Sequence, residues 1–227
     1  MRVVKFGGSS LATGTSVNQA LEIILADPSR QVMVVSAPGK RNSSDIKVTD
    51  LLIKYAKTVL NHQNYSKIVN EIYSRYQEIG LFFGLDETQL NIIKDILLSL
   101  PESSYPTDDY LIAAFKAHGE RLNARLIAMI LNQKGIKTKY LDPHEAGLTV
   151  TGEPNDAIVS PETYLNLDKI KIDSDEHIIF PGFFGITPSG HIATFFFFFS
   201  DITGAIFANG LHADLYENFT DVNGIFA

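Results

Sequence analysis

Met1-Arg2-Val3-Val4-Lys5-Phe6-Gly7-Gly8-Ser9-Ser10 opens the chain, and Val34-Val35-Ser36-Ala37-Pro38-Gly39 closes the unit it begins. Val3, Val4 and Phe6 form an apolar run of strand length that stops at two glycines, which predicts a strand entering a glycine turn. Over residues 16–25, Val17, Ala20, Leu21, Ile24 and Leu25 recur at helical spacing; Ser16 is the expected N-cap, and Asp27-Pro28 ends the helix. Residues 32–35 are a second strand of the buried type. Strand, helix and strand within about 35 residues make a βαβ unit, the building block of a parallel sheet.

Beyond it, residues 39–47 read as a polar loop. Residues 49–60 carry a helical pattern that Thr49 is placed to cap. Residues 62–100 are amphipathic and helix-like with a break at 80–84, and residues 110–132 predict a long helix stopped by Lys134-Gly135. Short strands are expected at 138–141, 148–151, 157–159 and 178–180. Pro188-Ser189-Gly190 reads as the turn of a hairpin, residues 200–209 as a helix ended by Gly210, and 214–219 as a last strand. The expected fold is α/β: a mostly parallel central sheet sandwiched by helices, with a helical insertion near residues 62–110. Ligands of such sheets bind at the carboxyl ends of the strands. The glycine turns at 7–8 and 182–185 and the pair Thr220-Asp221 all fall there.

At 227 residues, with 45% hydrophobic and 20% charged, the chain suits one large packed domain. Its net charge is −7, from 19 basic and 26 acidic residues, and no basic stripe marks a nucleic-acid surface. The absence of cysteine excludes disulfides, thiolate metal sites and a cysteine nucleophile. Residues 1–8 lack the apolar core of a signal peptide, and no apolar run, the phenylalanines at 195–199 included, reaches the length of a membrane span. A soluble cytoplasmic protein without nucleic-acid or membrane partners is expected.

Lys5 stands at a strand end before Gly7 and Gly8. Glycine lets the backbone approach a phosphate, with N–H groups aimed at the anion, and lysine adds a point charge. The same residues also suit an ordinary turn with an exposed lysine. Neither a Walker A loop nor a G-x-G-x-x-G fingerprint is present. His118-Gly119-Glu120-Arg121 lies inside the long helix, where glycine costs about 1 kcal/mol against alanine. That cost points to a close backbone approach. Glu120 then either meets a substrate ammonium group or sits on a solvated helix face. His118 and His144 have no partner at metal-ligand spacing and read as surface or capping residues, so no metal site built from side chains is expected. Thr220-Asp221-Val222-Asn223-Gly224 reads as a plain turn or as a nucleotide contact after a strand.

Taken in order, M-R-V-V-K-F-G-G-S-S, V-V-S-A-P, V-T-D-L-L at 48–52, A-H-G-E-R at 117–121, P-G-F-F-G-I-T-P-S-G at 181–190, S-D-I-T-G-A at 200–205 and T-D-V-N-G resemble the aspartate kinases, a branch of the amino-acid kinases, along the whole chain. The resemblance implies ATP-dependent phosphorylation of the β-carboxylate of L-aspartate to β-aspartyl phosphate, the first step toward lysine, threonine and methionine. It implies ATP and Mg²⁺, L-aspartate as substrate, and a homo-oligomer in the full-length protein. Lys5, Gly7, Gly8 and Ser9 would hold the phosphates. Thr49 and Glu120 would bind aspartate, with Glu120 facing its ammonium group. Ser200 and Asp201 would sit at the reaction centre, Lys5 and Asp201 being catalytic. Thr220, Asp221 and Phe226 would contact the nucleoside.

The chain departs from that pattern in two places. Where the family has a segment like Ser-Arg-Gly-Gly before Ser200-Asp201, this chain has Phe196, Phe197, Phe198 and Phe199. The arginine's charge and the glycines' open space are both lost, and losing one buried partner of a charge pair costs about 2–5 kcal/mol. Impaired turnover is expected, and the run suits an exposed, aggregation-prone strand. The second departure is length: residues 1–227 would be a catalytic domain truncated at its C-terminus, without ACT regulatory domains. Two other readings stand beside the kinase: a non-catalytic nucleotide-binding member, and a kinase for another small acid such as glutamate.

Overall fold

The computed structural model describes residues 1–196 and 199–220, with Phe199 in its backbone only. In chain order the elements are β1 (Arg2–Phe6), α1 (Gly14–Leu25), β2 (Arg30–Val35), α2 (Val48–Leu60), α3 (Ser66–Phe82), α4 (Glu87–Ser99), α5 (Asp108–Gln133), β3 (Thr138–Tyr140), α6 (Pro143–Ala146), β4 (Val150–Glu153), β5 (Asp156–Val159), α7 (Glu162–Leu167), β6 (His177–Pro181), β7 (Phe184–Ile186), β8 (Ile192–Thr194), α8 (Phe199–Gly210) and β9 (Leu215–Phe219). The central sheet is parallel throughout, in the order β3-β6-β2-β1-β9. The opening βαβ unit therefore supplies its middle.

Val3, Val4 and residues 32–35 are fully buried, because helices cover both faces of these strands. A parallel strand in that position reads as one apolar run rather than an alternating one. Successive side chains still serve opposite cores. Val4, Phe6, Met33 and Val35 join α1, α2, α3 and α5 on one face. Val3, Val32, Val34 and Phe180 join Leu167 of α7 and Ile206 and Phe207 of α8 on the other. The predicted α/β sandwich stands, and α3 and α4 are its helical insertion.

Several local expectations are corrected. Thr13, not Ser16, caps α1; Ser16 is the reciprocal partner, and each hydroxyl accepts the other residue's backbone N–H, at 3.2 and 3.0 Å. Helix α2 begins at Val48 after Lys47, so Thr49 lies in its first turn with its side chain not used as a cap. Strands β4 and β5 form a separate antiparallel hairpin rather than extending the sheet, as do β7 and β8 around the predicted turn. The short helices α6 and α7 were not expected. His118 is buried rather than at the surface, since α5 is covered by neighbours around its middle. The phenylalanine run is not a strand where it is described. Phe195 is buried after β8, its N–H donating to Phe183 O at 3.0 Å; Phe196 is 59% exposed; Phe199 opens α8. Phe197 and Phe198 lie outside the described residues. No helix among the described residues is long and apolar enough to cross a membrane.

Candidate active site

The carboxyl ends of β1, β2 and β6 open onto a cavity of about 630 Å³, which α2, α5 and α8 also line. Its floor is two glycine turns pressed together. The Gly39 N–H donates to Gly8 O at 2.8 Å. A Cβ on Gly8 would fall 2.8 Å from Ala37 O, and one on Gly39 would fall 2.6 Å from the Gly8 carbonyl carbon. Only glycine allows that approach. Lys5, at the end of β1, is 7% exposed, and its Nζ lies 2.6 Å from Asp201 Oδ1 in the first turn of α8. Ser36 Oγ and Ser200 Oγ are 2.6 Å apart, which ties the β2 turn to the start of α8. The N-terminal end of that helix carries partial positive charge and unpaired N–H groups suited to an anion.

The opposite wall is α5. A Cβ on Gly119 would stand 2.7 Å from Ala37 Cβ, so glycine is what lets the helix touch the turn after β2. Tyr76 Oη donates to Gly119 O at 2.9 Å, and Asn123 Nδ2 donates to Ser36 O at 2.7 Å, pinning the contact from both sides. Glu120 is thereby carried into the cavity at 6% exposure, not onto a solvated face. Burial pushes its carboxyl up to about 8, against the Ala37 N–H, its own backbone N–H and the charge of Lys116. Its Oε2 has no hydrogen-bond partner among the described residues. Thr49 lines the same wall. His118 points away; its Nδ1 is 2.7 Å from Ala114 O, and burial pushes it down to about 3, so it stays neutral.

The loop at 39–47 forms the rim. The guanidinium of Arg75, on α3 and 2% exposed, donates to Gly39 O at 2.5 Å and Ile46 O at 2.9 Å, with Asp45 Oδ2 at 3.1 Å. Arg41 holds Asp45 from the solvent side at 2.9 Å, and that bond is the largest cause keeping the carboxylate well below its usual range. The helical insertion thus anchors the loop beside the glycine turns.

Lys5, Gly7, Gly8, Ser9, Thr49, Glu120, Ser200 and Asp201 are therefore brought to one place. Thr220 follows β9 beside β1, where the rings of Phe6 and Phe219 stack at 5.0 Å. Asp221 and Phe226 lie outside the described residues. Ser36, within V-V-S-A-P but not singled out there, and Arg75, Lys116 and Asn123, which carry no motif signal, belong to the site or support it. No group of three or more His, Asp or Glu residues that could hold a metal occurs among the described residues. That donor set still fits Mg²⁺ arriving on nucleotide phosphates. Such an ion keeps waters and needs one or two protein carboxylates, and Asp201 is the one beside Lys5.

The amino acid kinase family model matches residues 1–227. Aspartokinase 3 of Bacillus subtilis is 45% identical over 227 residues, covering 100% of this chain and 50% of that protein. Lysine-sensitive aspartokinase 3 of Escherichia coli is 25% identical over 231 residues, covering 99% and 49%. Among solved structures, Clostridium acetobutylicum aspartate kinase superposes with a TM-score of 0.79 at 31% identity over 99% of this chain and 48% of that one. E. coli aspartokinase III in complex with aspartate and ADP superposes at 0.83 with 22% identity, over 99% and 50%, a likeness of fold. The chain spans about half the length of these relatives.

Proposed function

We propose, from the premise that this chain belongs to the amino acid kinase family, that its cavity transfers the γ-phosphoryl group of ATP to the β-carboxylate of L-aspartate. One observation carries the reading. A single cavity joins a glycine-and-lysine end suited to phosphate with a buried carboxyl, one of whose oxygens has no hydrogen-bond partner among the described residues, suited to an ammonium group. Residues 1–227 would be the catalytic portion of a longer protein.

The acceptor carboxylate has a reference pKa of about 3.9, so it is already ionised and needs no general base. One of its oxygens attacks the γ-phosphorus while the bond to the β,γ-bridging oxygen breaks. The products are β-aspartyl phosphate and ADP. The work of the site is alignment and charge neutralisation. Lys5 and the amides of Gly8 and Ser9 face the phosphates. Ser36 and Ser200 hold the two turns in register. Thr49 and Glu120 seat the amino acid. Mg²⁺, when bound, neutralises charge on the phosphates; Asp201 is placed to orient it and to hold Lys5.

A second reading, nucleotide binding without turnover, is favoured by Phe196–Phe199, which add no charge where the resembled family has an arginine. The test replaces the run (Phe196→Ser, Phe197→Arg, Phe198→Gly, Phe199→Gly) and measures ADP release. L-Aspartate, and not L-glutamate, is expected to drive it. Equal release with glutamate would contradict the substrate assignment, and ATP binding without release would favour the second reading.

A further inference from the structure

Lys116 is one helical turn ahead of Glu120 on α5, and both line the cavity. Its ammonium lies 5.3 Å from the centre of the Phe183 ring and makes no hydrogen bond or ion pair among the described residues. Glu120 Oε2 is likewise without a hydrogen-bond partner. A lysine and a glutamate four apart have Cβ atoms about 5–6 Å apart and often bond directly. Here the lysine comes first, the less favourable orientation for closing such a pair. The cavity thus presents a cation and a carboxyl side by side and unjoined.

An α-amino acid head group carries both complementary charges on one carbon. We infer that Lys116 binds the α-carboxylate of the amino-acid substrate while Glu120 binds its ammonium group. The inference rests on the aspartate reading above and deepens it. The Gly119 turn of α5 touches the turn at Ala37, and Lys116, three residues earlier, lies about 4.5 Å further along the axis.

Phe183 fixes the lysine. It has a φ of 82°, a region that strains a residue with a side chain. Bonds on both sides of it help hold it there: its N–H donates to Thr203 Oγ1 at 3.1 Å, and its carbonyl accepts the Phe195 N–H at 3.0 Å. The ring lies in the cavity wall under the ammonium. Phe196–Phe199 offer no cation of their own.

The test measures binding to the 227-residue chain with ADP and Mg²⁺ present, by ligand-observed NMR, for L-aspartate and for β-alanine. β-Alanine keeps the ammonium group and the reacting carboxylate but lacks the α-carboxylate. In Lys116→Met, which keeps the side-chain stem on Phe183, aspartate is expected to weaken about 10- to 100-fold, the range for a lost hydrogen bond to a charged group. β-Alanine should bind unchanged, and Lys116→Arg should restore most of the difference. Equal weakening of both ligands would mean a structural role and overturn the assignment. Unchanged aspartate binding in Lys116→Met would overturn it as well. Aspartate binding to neither protein would overturn the substrate reading, and the lysine assignment with it.

Discussion

At neutral pH the Glu120 carboxyl keeps its proton, because burial lifts it to about 8. The charged groups that act on it are few: Lys116 pulls the other way, and buried Tyr76 stays protonated. An arriving ammonium group favours the ionised form, so binding of aspartate should release a proton. Affinity is then expected to rise between about pH 6 and 8 and to level off above, and Glu120→Gln should flatten the slope. Calorimetry in two buffers of different ionisation enthalpy would count the proton. The free chain gives the opposite sign. A folded pKa above the unfolded 4.5 stabilises fully below that value and is lost as pH rises through about 8. Thermal midpoints of the wild type should therefore fall, relative to Glu120→Gln, between about pH 5 and 8. That Glu120 matters was legible from the glycine beside it. Its burial was not, because nothing local shows that α5 is covered there. Lys116 gave no signal at all, since a lone lysine in a helix is ordinarily solvated.

Two elements carry the site in ways that helix and strand patterns do not express. Replacing Gly119 by alanine should stabilise an isolated helix by about 1 kcal/mol. In this fold the new Cβ would stand 2.7 Å from Ala37 Cβ, so α5 must move off the turn. Gly119→Ala is expected to lower the denaturation midpoint and to weaken aspartate binding; a higher midpoint with unchanged binding would contradict the contact. Arg75 acts from the insertion. Arg75→Met leaves the carbonyls of Gly39 and Ile46 without their donor, at about 1–3 kcal/mol for a buried group left unpaired. Chemical denaturation should show that loss. The apparent affinity for ATP should fall more than that for aspartate, because Gly39 leans on Gly8. The central strands and the long helices were readable because burial on both faces, or on one stripe, writes itself into the apolar pattern. Helices α6 and α7, at 4 and 6 residues, are too short to establish a period. Ser16 passed for a cap because it is the partner of one; the apolar stripe starts at Val17, which hid Thr13.

Over the whole molecule, motifs far apart in sequence converge because the parallel sheet gathers strand ends on one edge. Lys5 and Asp201 are 196 positions apart and meet at 2.6 Å. The order of those motifs made the family legible. The insertion's hold on the rim loop was not, since Arg75 and Asp45 sit in stretches that look like plain surface. The phenylalanine run breaks the pattern directly before Ser200 and Asp201. The most direct test traps aspartyl phosphate with hydroxylamine in the presence of ATP, Mg²⁺ and L-aspartate. It compares the chain as it stands with the variant Phe196→Ser, Phe197→Arg, Phe198→Gly, Phe199→Gly. The expected result is hydroxamate from the variant and about 30-fold less or lower from the chain as it stands, the loss set by one missing charge partner. Hydroxamate from neither would contradict the kinase assignment, and equal amounts from both would show that the run does not impair the site.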